Sequence, residues 1–112
     1  MDSILNSVKK TLGIDEGYTH FDTDIVMHIN TVFMILTQLG VGPDEGFIIS
    51  GGDEVWSDFI DVNHKGFESI KTYMGLKVRL IFDPPTGSVV LGSLKEAVKE
   101  LEWRINTLTE LT

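Results

Sequence analysis

The residues best suited to chemistry lie together early in the chain: His20, Asp22, Asp24 and His28. Two imidazoles and two carboxylates are a donor set for a divalent cation. Asp24 and His28, spaced i, i+4, reach toward one point if they share a helix. The set lacks the HExxH pattern, and no second segment supplies a matching ExxH. It therefore reads as a helix start with two acidic side chains, which suit the positive end of the helix dipole, and two surface histidines. A second group, Asp61, Asn63 and His64, is not preceded by the GxSxG elbow that presents a nucleophilic serine. Gly51, Gly52 and Gly87 fit neither the dinucleotide-binding nor the P-loop pattern. The chain has no cysteine, which removes thiolate catalysis, disulfides and cysteine metal sites. No catalytic, cofactor-binding or metal-ligating residue is assigned, and the expectation is a protein that is not an enzyme.

The elements that must position these residues are helices. Ser3 to Leu12 reads as a short helix with Ser3 as cap, Ile4, Leu5, Val8 and Leu12 on one face, and Lys9 and Lys10 near the negative end of the dipole. The longest stretch, DTDIVMHINTVFMILTQLGVGP from Asp22 to Pro43, is an amphipathic helix and its exit. Thr23 or Asp22 can cap it; Ile25, Ile29, Val32, Leu36 and Leu39 form its stripe; Gly40 and Pro43 stop it. Asp53 is placed to cap a single turn carrying Val55, Trp56, Phe59 and Ile60. From Asn63 a further helix carries Phe67, Ile70, Met74, Val78 and Ile81, with Glu68, Thr72, Gly75 and Arg79 opposite. Lys77 lies inside the stripe, where its stem can cover apolar surface while its amine reaches water or a carboxylate. This helix ends at Asp83-Pro84-Pro85. A last helix, about Ser88 to Leu108, presents Leu94, Val98, Leu101, Ile105 and Leu108. The expected fold is all-α: a small antiparallel bundle of about four helices, with a Gly-rich loop between the second and third in which Phe47-Ile48-Ile49 could form a short strand. Residues 1–112 form a single domain.

Composition agrees. Apolar residues are 42% and charged residues 23%, a globular balance. The net charge of −8 argues against general nucleic-acid binding, which depends on Lys and Arg. Local basic patches remain open at Lys9 and Lys10, or at Lys77 and Arg79. The start, MDSILNSVKK, is not read as a signal peptide, because Asp2 precedes it and no apolar h-region follows. No apolar run has membrane-spanning length.

The misplaced apolar residues carry more information than any catalytic pattern. Met27, Met34 and Ile35 fall outside the stripe of their helix, Leu76 lies opposite its stripe, and Trp103 projects among Lys95, Glu96, Lys99 and Glu102. Either neighbouring elements cover them within the monomer or another subunit does. Together with Trp56, in a loop that could be a docking arm or a lid, they are the candidate subunit-interface residues.

With these features in place, the chain resembles the head–tail connector (adaptor, or head-completion) proteins of tailed bacteriophages. The resemblance rests on the SVKKTLGI helix and turn, the acidic FDTDI lead-in to a helix carrying HIN, the LGVG exit, and YMGLKVRLIFDPP followed by LEWRIN. It spans about Ser3 to Asn106. It implies a structural virion protein of a phage or prophage that docks on the portal ring, forms a ring of its own copies, dodecameric and monomeric before assembly, and joins head to tail. The implied partners are the portal protein, a tail-side head-completion or stopper protein, and the chain itself. DNA passes through the channel without specific binding, and no membrane or cofactor takes part. The implied location is the virion, with host cytoplasm during assembly. An alternative reading is a small helical phage-encoded adaptor or regulator that binds a host protein.

Overall fold

Ser3 starts the fold. Its hydroxyl accepts a 3.0 Å hydrogen bond from the backbone N–H of Asn6, satisfying a free donor at the start of α1 (Ile4–Leu12). The computed structural model describes residues 3–110, so the ends of the expected 1–112 domain, Asp2 among them, lie outside the described residues. After α1 come α2 (Asp22–Gln38), the single turn α3 (Trp56–Phe59), α4 (Phe67–Phe82) and α5 (Ser88–Glu110). The architecture is an all-α small helical bundle. Among the described residues there is no strand; Phe47-Ile48-Ile49 is loop, and Ser3 and Val55 make one isolated antiparallel bridge.

The central element is α4, which packs against α1, α2 and α5. Ile70, Tyr73, Met74 and Val78 are buried on it, in one core with Ile25, Ile29, Val32, Phe33 and Leu36 of α2. Gly75, expected on a polar face, is buried instead. A Cβ there would lie 2.8 Å from Thr11 Cγ2, so the missing side chain is what lets α1 approach α4. Ile81, expected in the stripe, is exposed. The helix begins at Phe67 rather than Asn63 because Asp61 and His64 hold turns ahead of it. Asp61 accepts from the Asn63 N–H, and His64 Nδ1 accepts from the Gly66 N–H at 2.9 Å.

Lys9 differs most from expectation. It is no part of a basic patch but is fully buried. Its ammonium donates to the backbone carbonyls of Glu16 (3.1 Å) and Tyr18 (2.7 Å) and pairs with Asp22 Oδ1 at 2.8 Å. Two carbonyl hydrogen bonds and a carboxylate counter-charge together make the buried ammonium tolerable. Neither Asp22 nor Thr23 acts as N-cap. That position is Phe21, which makes no side-chain cap bond, and Asp22 in the first turn serves the dipole and Lys9. In α3 the cap residue is Val55, whose N–H donates to Asp58, rather than Asp53.

Removing one member of a buried pair strands the other's polar groups. Lys9→Met is therefore expected to lower the free energy of unfolding in urea by about 3 kcal/mol, and Asp22→Asn by less, since Asp22 is 27% exposed. A loss under about 1 kcal/mol for Lys9→Met would show that the buried ammonium is dispensable.

Candidate functional site

The structure disperses the residues first considered for chemistry. Asp22 is committed to Lys9. The rings of His20 and Phe21 meet edge to face at 4.8 Å, Phe21 meets Phe82 at 5.4 Å, and His28 lies 6.0 Å from Phe82. These histidines thus belong to an aromatic seam between α2 and the end of α4. Among the described residues no three His, Asp or Glu side chains are grouped closely enough to hold a metal ion.

What the fold does present is apolar surface. Met27 and Met34 on α2 are each 58% exposed, and Trp103 on α5 is 65% exposed, so no element of the monomer covers them. Ile35 and Leu76 are partly buried at the margin of the core and contribute edges at most. Trp56 requires correction: at 2% exposure it is a core residue, its indole 5.9 Å from the Phe67 ring and 6.4 Å from Phe33. A four-residue turn offers no periodicity from which its burial could be read. The aromatic density around it, Phe33, Phe47, Phe59 and Phe67, was the available signal.

Among the exposed apolar residues that escaped the sequence reading is one in the loop. Ile48 is 71% exposed, and it is presented by construction. Its neighbour Ile49 is buried, held by the Asn30 side chain, which accepts from the Ile49 N–H (2.8 Å) and donates to the Ile49 carbonyl (2.9 Å). On the other side, the Phe47 ring packs on Phe33 at 5.0 Å and Phe59 at 5.3 Å. With both neighbours turned inward, Ile48 points out. Met34, Thr37, Phe47 and Ile48 line one shallow groove between α2 and the loop. The loop is therefore a pinned ledge, not a free arm. Gly42 helps to seat it: its φ is +83°, and a Cβ there would collide with the Phe59 ring. Downstream, Ser50 donates from its N–H (2.7 Å) and hydroxyl (3.0 Å) to Glu54, and the backbone bond holds the Glu54 carboxyl below its ordinary value.

The second surface rides on α5. Val98 and Ile105 face the core, while Val89, Val90 and Trp103 are exposed. Tyr73 donates to Glu102 at 2.6 Å, and Lys77 reaches Glu102 at 3.6 Å from inside the α4 stripe. Glu102 thus locks α5 to α4 and fixes the rotation that turns Trp103 outward. Burial, followed by the bond to Glu102, pushes the Tyr73 hydroxyl well above the usual phenol range.

The fold is all-helical, and it exposes apolar side chains on α2, on the loop at Ile48 and on α5. The chain belongs to the phage connector protein family, whose model matches residues 4–112. This is a family of structural proteins with a connector role between phage head and tail, associated with head and tail components of the virion. Among the described residues no helix is long and apolar enough to cross a membrane. No curated protein and no solved structure gives a significant match.

Asn30→Ala leaves a buried backbone N–H and carbonyl unpaired, so it should cost about 2 kcal/mol and speed amide exchange at Ile48 to Ser50. Unchanged exchange there would mean that the ledge holds without the clamp. The raised Tyr73 pKa means that the fold favours the neutral phenol. Its contribution is complete below about pH 10, the unfolded value, and is lost at higher pH as the unfolded chain ionises. In a Tyr18→Phe variant, leaving Tyr73 as the sole phenol, absorbance should show phenolate only as the helical signal is lost. Phenolate appearing in the folded protein would contradict this.

Proposed function

We propose that this protein is a head–tail connector that docks on the portal ring and closes into a ring of its own copies. The ring extends the DNA channel and offers a surface to the tail-side completion or stopper protein. The reading is carried by two unlike apolar surfaces, on α2 with its ledge and on α5, exposed in a chain of the connector family. Covering the exposed part of one indole alone gains roughly 3 kcal/mol at ~25 cal/mol per Å². Repeated contacts between unlike patches close into a ring when the rotation suits. Twelve copies would match the ring that the family resemblance suggests. The role involves no reaction. A net charge of −8 suits a conduit through which DNA slides, since like charge suppresses phosphate binding.

The test is to combine the protein with the portal protein of the same genome and weigh the product by native mass spectrometry. The expected result is a saturating ring of copies on each portal. Trp103→Ala and Met34→Asp should each weaken assembly by roughly tenfold to a hundredfold, about 1.4 to 2.8 kcal/mol. An intact portal ring that takes up no copies, in the empty and the DNA-filled head alike, would overturn the proposal and favour a host-binding adaptor.

A further inference from the structure

The charge of this chain is unevenly distributed. Between Thr11 and His64 there are ten carboxylates and no lysine or arginine. From Lys65 onward there are seven of the nine cationic side chains and six carboxylates, so that stretch is close to neutral. The first stretch contains α2 and the ledge; the second contains α4 and α5. The division falls on the two surfaces themselves. Asp24 is exposed one turn before Met27, and Glu45 lines the groove with Met34 and Ile48. On α5, Lys99 lies one turn before Trp103 and Lys95 one turn earlier, both exposed and without an ion pair among the described residues. Of the carboxylates near them, Glu100 is taken by Arg104 at 3.0 Å and Glu102 by Tyr73 and Lys77, which leaves exposed Glu96 beside the two lysines.

We propose that the Met27–Met34–Ile48 face of one copy seats on the Trp103 face of α5 of the next. This rests on the ring assembly proposed above and names the surfaces that form it. A symmetric contact of the α2 face with itself would place Asp24 and Glu45 against their own copies, with no cation within either patch, and juxtaposed like charges are costly. Against α5 the same acidic rim meets Lys95 and Lys99, while the methionines and Ile48 meet Trp103 and Val89. The contact is heterologous, which leaves a free α2 face and a free α5 face at the ends of every growing chain until the ring closes.

The absence of cysteine makes the test clean. Ile48→Cys and Lys99→Cys proteins are prepared separately, since both positions are exposed. They are assembled on portal rings alone or as an equal mixture and treated with a short bismaleimide. The expected result is a covalent dimer of unlike variants in the mixture, little or no dimer from either variant alone, and a ladder of linked copies from the doubly substituted chain. A charge check accompanies it: Lys95→Glu with Lys99→Glu should weaken assembly more than tenfold, whereas Lys65→Glu should not. If rings form by native mass spectrometry but the unlike variants do not link, or either links with itself, the pairing of faces is wrong while the connector reading stands. If unmodified protein forms no ring on the portal of either the empty or the DNA-filled head, both fall.

Discussion

The ammonium of Lys9 is the interaction on which the N-terminal half of this molecule depends. It gathers α1, the connection through Glu16 and Tyr18, and the first turn of α2 around one buried charge. A connection of this kind carries backbone carbonyls that must be paired if they are buried. Lys9 supplies the donors and, through Asp22, sets where α2 begins. Because α2 lacks a side-chain N-cap, this pairing takes over part of the work of a cap. Everything α2 later presents, including Met27, Met34 and the Asn30 clamp, inherits its position from that start.

The rest of the architecture follows from α4. Three helices pack around it, and a single glycine, Gly75, makes room for α1. Glu102, shared by Tyr73 and Lys77, then fixes α5 in rotation. Exposed apolar surface on a small protein is normally a liability for solubility. Here it is held on rigid elements and differs in charge: Asp24 and Glu45 border the α2 side, and on the α5 side Lys95 and Lys99 make no ion pair among the described residues. That division disfavours indiscriminate association of like faces while leaving unlike faces attractive.

Much of this was legible in the sequence, for physical reasons that can be named. The Ser3 cap, the span of α2, the stop before Pro84 and the long last helix all rest on local signals: a side-chain oxygen, a sustained period, a proline. Lys77 reaching a carboxylate from within a stripe followed from its stem and its neighbours. What the sequence reading missed depended on tertiary contacts. Lys9 shares its helical phase with Leu5 and Leu12, which hinted at burial, but only the fold supplies the carbonyls that make burial tolerable. Gly75 in the middle of a helix was a sign of close approach, without saying to what. Trp56 sits in a turn too short for periodicity, and its place was decided by the aromatic rings around it. Ile48 could not be told from Phe47 and Ile49 until Asn30 was seen holding Ile49 inward.

The central claim is that the folded monomer already carries two preformed, unlike surfaces, and that assembly covers them without refolding the core. Hydrogen–deuterium exchange of the free chain against the portal-bound assembly tests it most directly. The account predicts new protection over 24–34, 45–48 and 95–107, with the remainder of α4 and α1 unchanged apart from any portal contact. Protection that instead spreads through the core helices, or leaves α2 and α5 as exposed as in the free chain, would contradict it.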